Sequence, residues 1–118
     1  MIKKRMVFML LFVAMALSVF PHGIKVSQPD GKTKLTIGKS YSIEWILTRG
    51  KAETVQIELY DPIKKKRLVI EEKVKNSGKY DWAISKETRP GTYKILILVT
   101  DQKDLHGVSK AFEIQQGK

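Results

Sequence analysis

With 118 residues the chain has room for one domain of ordinary size and not for two. It contains no cysteine, so its core must hold without disulfides, and thiol nucleophiles and thiolate metal sites are excluded. The formal net charge of +10 favours weak attraction to polyanions such as nucleic acid, anionic lipid headgroups or acidic envelope polymers, and selects none of them.

The chain begins with a short cationic stretch, residues 1–5, that carries Lys3, Lys4 and Arg5. Residues 6–20 follow without a charge and end at Pro21. This run falls short of the ~20 residues a membrane-spanning helix needs. Together with the small residues Ala14, Ala16 and Ser18 it reads as a secretion signal over residues 1–18, cleaved after Ser18. The alternative is an uncleaved anchor reaching to about residue 20. No Cys follows the run, which excludes a lipoprotein anchor, and Asn76 lies in no glycosylation acceptor. Removal of residues 1–18 leaves a net charge of +7, with acids and bases interleaved as on a solvated surface.

From Ile24 the apolar residues recur with period two, and turn residues break them at short intervals. Ile24 and Val26 make a short first strand. Tyr41, Ile43 and Trp45 share one face of the next, and Val55, Ile57 and Leu59 repeat the pattern. Leu68 with Ile70, then Tyr80, Trp82 and Ile84, then Tyr93, Ile95, Ile97 and Val99, and finally Val108, Phe112 and Ile114 supply the remaining apolar faces. Pro29-Asp30-Gly31, Gly38-Lys39, Arg49-Gly50, Asp61-Pro62, Asn76-Ser77-Gly78, Arg89-Pro90-Gly91 and His106-Gly107 are the expected turns. About seven strands at this spacing predict an all-β, immunoglobulin-like antiparallel β-sandwich over residues 24–115. Its predicted core includes Tyr41, Trp45, Ile57, Trp82, Ile95, Ile97 and Phe112, the two tryptophans being in register with apolar faces.

Three features are candidates for ligand or partner contact. Tyr60 is out of register with Leu59 and is expected to expose its ring. Lys64, Lys65, Lys66 and Arg67 form one dense basic run in the expected connection before Leu68, suited to an anionic envelope polymer. Leu96 and Leu98 make the second face of their strand apolar as well, so a loop of this domain or a partner must cover it.

Catalysis needs a constellation that this chain lacks. Its two histidines, His22 and His106, have no metal-ligand spacing, and no nucleophile elbow or phosphate-cradling loop precedes a helix. Asp101 and Asp104, in an expected late loop, have no third carboxylate near them for calcium. Glu71 and Glu72 are adjacent on a strand and so point to opposite faces. No catalytic residue, metal site or cofactor is expected.

Six elements in order carry a family resemblance. They are Pro29-Asp30-Gly31; Gly38, Tyr41, Ile43 and Trp45; Val55, Ile57, Leu59 and Tyr60; Asn76, Gly78, Tyr80, Trp82 and Ile84; Pro90, Gly91, Tyr93, Lys94 and Ile95; and Phe112 with Ile114. This series resembles the Kre/Knh-like N-terminal immunoglobulin-like domain of yeast cell-wall glucan-assembly proteins and of bacterial and archaeal surface proteins. The family's usual Asn-Gly-Gly-Glu-x-Trp opening reads here Asp30, Gly31, Lys32, Thr33, Lys34, Leu35, without the early Trp. The resemblance implies an exported, non-enzymatic cell-surface or envelope module that binds or scaffolds a protein or polysaccharide. The rival expectation is a periplasmic inhibitor or chaperone-like protein that works through an exposed strand edge.

Overall fold

The computed structural model describes residues 23–117, so the expected signal segment lies outside the described residues. These residues form nine strands and no helix: β1 (Ile24–Gln28), β2 (Leu35–Thr36), β3 (Ser40–Leu47), β4 (Thr54–Asp61), β5 (Lys66–Lys75), β6 (Lys79–Ala83), β7 (Gly91–Val99), β8 (Gln102–Val108) and β9 (Phe112–Gln115). One sheet has the order β1-β3-β6. The other has the order β2-β9-β7-β4-β5, with β8 also beside β7. Strand pairing is antiparallel except between β2 and β9. The expected immunoglobulin-like sandwich is the fold that forms.

Period-two alternation builds the interior. Ile43 and Trp45 of β3 and Trp82 of β6 face Val55, Ile57 and Leu59 of β4, Ile95, Ile97 and Val99 of β7 and Phe112 of β9 across one shared core. Trp82 and Phe112 lock the two sheets edge to face, with ring centroids 6.2 Å apart at 76°. Each fully buried large apolar side chain contributes roughly 1.5–3 kcal/mol, which stands in for the missing cross-links. Of the predicted core, Trp45, Ile57, Trp82, Ile95, Ile97 and Phe112 are buried. Tyr41 is half-buried, and its hydroxyl accepts a hydrogen bond from the Thr36 amide at 2.8 Å.

The structure corrects the sequence-based expectations at four places. Residues 108–114 are not one strand: Val108 ends β8 and is 48% exposed, while Phe112 and Ile114 belong to β9. His106 and Gly107 lie inside β8, not in a turn, and Asp104 lies in the same strand, not in a loop. Gly107 pairs with Ile97, and the backbone of Ile24 passes so close that any larger residue would collide. Leu35 and Thr36 form the short β2 beside β9, in the stretch where the family's usual opening departs.

The fourth correction concerns β5. Leu68, expected on a buried face, is 64% exposed, and Val74 is the buried residue. The face is as expected, since Leu68 pairs with the buried Leu59 and Val74 with Val55. A three-stranded sheet cannot cover a six-stranded one, so β5 overhangs the core at its Lys66 end and leaves Leu68 in solvent. Between these pairs β5 carries two extra residues, one between Val69 and Glu71 and one between Glu71 and Val74, which break strict alternation there.

Chain direction gives the sandwich two poles. Gly23 enters beside residues 48–50, since Ile24 pairs with Leu47. The β4–β5 turn and residues 85–90, which lead into β7, lie at the opposite pole.

Candidate functional site

A cleft of about 760 Å³ opens at the pole opposite Gly23, between the β4–β5 turn and residues 85–90. Its apolar lining comes from Leu59, Ile63, Leu68, Pro90 and Tyr93, and Lys64, Lys66, Arg67 and Arg89 stand around it against Asp61 and Glu87. Ile63 is 79% exposed and is the most exposed large apolar residue among those described.

Local chemistry fixes both walls. Asp61 Oδ1 accepts hydrogen bonds from the amides of Ile63 at 2.9 Å and Lys64 at 3.0 Å, which holds the turn in place, and Lys65 takes a left-handed φ of 56° to close it. On the other wall the Ser85 hydroxyl accepts from the Glu87 amide at 3.1 Å, and the Ser85 carbonyl accepts from the Thr88 amide at 3.0 Å. The Tyr93 hydroxyl donates to the Arg89 carbonyl at 2.7 Å, tying the loop to β7. Burial pushes the Tyr93 phenol above its ordinary pKa, helped by the Asp61 carboxylate, so it stays a neutral donor.

The basic run is thereby divided. Lys64 and Lys65 sit in the turn, while Lys66 and Arg67 already belong to β5. Lys64, Lys66 and Arg67 line the cleft. Arg67 also reaches back across the hairpin, where its Nε donates to Glu58 Oε1 at 2.5 Å, and Gln56 Nε2 donates to the other carboxylate oxygen. Glu58 is buried on the outer face of the larger sheet. The Arg67 hydrogen bond holds its carboxyl below the usual range against the opposing effect of burial, assisted by Gln56 and by the Arg67 and Lys103 charges.

A carboxylate with a lowered native pKa contributes stability above the ordinary carboxylate range, and that contribution is lost as pH falls through the native value. Arg67→Ala is expected to cost about 2 kcal/mol at neutral pH, because it strips a charge-assisted bond from a buried carboxylate. The deficit relative to wild type should shrink as acid protonates Glu58. Urea midpoints at neutral and acid pH check this, and a pH-independent deficit would refute it.

The other candidates lie elsewhere. Tyr60 is half-buried, not exposed, and pairs with Arg67 on one side and Lys94 on the other, on the face of the sheet away from the core. Leu98 is buried and Leu96 half-buried. Cross-strand neighbours of the same sheet flank them, Glu58 and Val108 beside Leu96, and Gln56 and His106 beside Leu98. β7 is paired along both edges, so it offers no free edge. Sequence reasoning missed Ile63, Arg89 and Pro90 as cleft residues. The available signal was Ile63 itself, an apolar residue inside a polar turn.

The Kre9/KNH-like N-terminal Ig-like domain model matches residues 28–114, a span that runs from the end of β1 into β9 and takes in the whole cleft. The chain belongs to this family. As a Kre9/KNH-like domain it has the sandwich fold that its sequence resemblance implied. Among solved structures, it is similar to a chain from the structures of Clostridium thermocellum CbhA fibronectin(III)-like modules, with a TM-score of 0.49 and 15% identity over 80% of this chain and 99% of that one. No curated protein matches it.

Proposed function

We propose that this Kre9/KNH-like domain is an exported, non-enzymatic cell-surface or envelope module that holds a protein or polysaccharide partner in the cleft between the β4–β5 turn and residues 85–90. The observation that supports this reading most is the combination of an apolar floor and a cationic rim at the pole opposite Gly23. An apolar floor supplies burial, and a rim of fixed cations favours an anionic partner.

Export rests on the cationic start and apolar run of residues 1–20, and membership of a cell-wall family agrees with it. Cleavage after Ser18 would release a domain with an open cleft.

Simultaneous replacement of Lys64, Lys65 and Lys66 by Ser tests the rim and leaves the Arg67–Glu58 pair intact. At about 0.5 kcal/mol for each of the two that line the cleft, Lys64 and Lys66, retention of the exported protein on isolated envelopes should fall about fivefold. Wild-type retention should also weaken between about 0.1 M and about 1 M salt, as the Debye length shrinks from ~10 to ~3 Å. Unchanged retention in the variant would rule out the cationic rim as a contact. A second reading, an inhibitor or chaperone-like protein acting by strand addition, is supported by one observation: among the described residues, no strand pairs with the outer edge of β5.

A further inference from the structure

The exposed cations of the cleft pole extend well beyond the cleft. Lys64, Lys65 and Lys66 stand at the β4–β5 turn, Lys86 and Arg89 on the wall formed by residues 85–90, and Lys39 beside Ile84, all of them exposed. Two acids stand among them, Asp61 and Glu87, and one Asp61 oxygen is already taken by the turn amides. Arg67 and Glu58 cancel as a pair, as do Lys34 and Glu113 at 3.9 Å. Set further back, Lys94 of β7 and Asp81 of β6 offset each other. Of the six cations, Lys39, Lys65 and Lys86 do not line the cleft. A ligand seated in the cleft leaves those three unused, whereas a broad anionic surface meets all six at once.

Apolar surface is open at the same place. Ile63 lies in the turn, past the last strand pair of Asp61 with Lys66, and is 79% exposed. Leu68, 64% exposed, flanks it on β5. A hydrated polyanion engages the lysines but offers Ile63 no apolar surroundings. An anionic bilayer supplies both, with headgroup phosphates for the cations and, beneath them, acyl chains for the apolar side chain. Lysine suits this depth, since its stem lies along apolar surface while its ammonium reaches a phosphate. The turn is also preorganised by the two hydrogen bonds to Asp61 Oδ1, so contact costs little ordering.

We propose that the pole around the β4–β5 turn is a contact for an anionic lipid surface: Ile63 enters the boundary between headgroups and acyl chains, and the six exposed cations pair with phosphates around it. Attachment of this kind is peripheral, reversible and sensitive to salt. It is a second activity and does not depend on what the cleft holds. Lys64, Lys66 and Arg89 are shared with the cleft rim, so a lipid surface and an anionic cleft partner compete for them.

Co-sedimentation of the exported protein with vesicles tests this without any protein or polysaccharide, so its failure leaves the reading of the cleft untouched. Wild type should sediment with vesicles of equimolar phosphatidylcholine and phosphatidylglycerol, and not with phosphatidylcholine alone. Lys65→Asn with Lys86→Ser removes two cations that do not line the cleft, and Asn tolerates the left-handed φ of position 65. Affinity for the anionic vesicles should fall roughly 30-fold. Ile63→Ser should weaken it roughly tenfold, because the apolar insertion is lost. All of these positions are exposed, so each variant should melt as wild type does. Ile63→Trp should keep binding, and its added fluorescence should be quenched by lipids brominated on their acyl chains, against the constant background of the buried Trp45 and Trp82. Wild type that ignores the anionic vesicles would overturn the proposal, as would undiminished binding by the double lysine variant. So would Ile63→Ser binding as wild type does, which means adsorption by charge alone, or Ile63→Trp fluorescence that brominated lipid leaves unchanged.

Discussion

A single methyl group added at Gly107 should destabilise this domain more than any surface change. A Cβ at that position would overlap the Ile24 carbonyl oxygen and sit 2.8 Å from its carbonyl carbon. Both obstructing atoms are backbone, so no rotamer change relieves them. Relief requires β1 to move off β8, which draws Ile24, only 1% exposed, out of the core. It would also disturb the bridge between Gly23 and His106, at the margin where the two sheets meet. Overpacking of this kind is expected to cost about 3 kcal/mol, a large fraction of the ~5–15 kcal/mol that stabilises a domain. For Gly107→Ala the melting temperature should fall by roughly 15 °C. A melting temperature within about 2 °C of wild type would show that β1 does not cross β8 as described.

Trp45→Ala is expected to cost about 4 kcal/mol, as removal of a buried aromatic ring leaves both a transfer loss and a cavity. Trp45 is 1% exposed on β3, and its indole Nε1 donates to Asn76 Oδ1 at 2.8 Å. Asn76 in turn donates to the Ala52 carbonyl at 3.2 Å, so one side chain joins β3, the β5–β6 turn and the segment before β4. Trp45→Phe keeps most of the apolar area and loses the hydrogen bond, and should cost only about 1–2 kcal/mol. The gap between the two variants, read from urea midpoints, separates packing from bonding. Equal losses would mean that the indole hydrogen bond dominates. Losses below about 1 kcal/mol for both would contradict the burial of this ring.

The strands legible in the sequence are those whose two faces differ chemically. β3, β4 and β7 alternate cleanly on their core side, so Ile43, Trp45, Val55, Ile57, Ile95 and Ile97 are identifiable as interior from spacing alone. β8 is not legible, because its core side presents Leu105 and then Gly107, and a glycine carries no apolar signal. Its place in the sandwich depends on the close passage of β1, a contact between residues far apart in the chain. β5 misleads for a different reason: Leu68 shares the core-facing side of its partner Leu59 but lies where the larger sheet overhangs the smaller one, and only Val74, opposite Val55, is buried.

The candidate site is legible in part. The basic run stands out by charge density, but the cleft it borders depends on the unequal widths of the two sheets and on residues 85–90. Arg67 reads as one more surface cation because its partner, Glu58, lies nine residues back across the hairpin. Period-two logic places Glu58 on the outer face. It does not reveal that Arg67 and Gln56 close over it. Tyr60 misleads for the same reason, since neighbouring long side chains half-bury a face that alternation alone would leave to solvent.

The central claim is that this Kre9/KNH-like domain engages its partner through the cleft at the pole opposite Gly23. Amide hydrogen exchange on the exported protein, free and bound to isolated envelope fragments, tests it most directly. Added protection should concentrate in residues 61–68 and 85–93, on the two walls of the cleft. Protection confined to residues 31–34, or to the loop around residues 100–102, with the cleft walls exchanging as in the free protein, would contradict it.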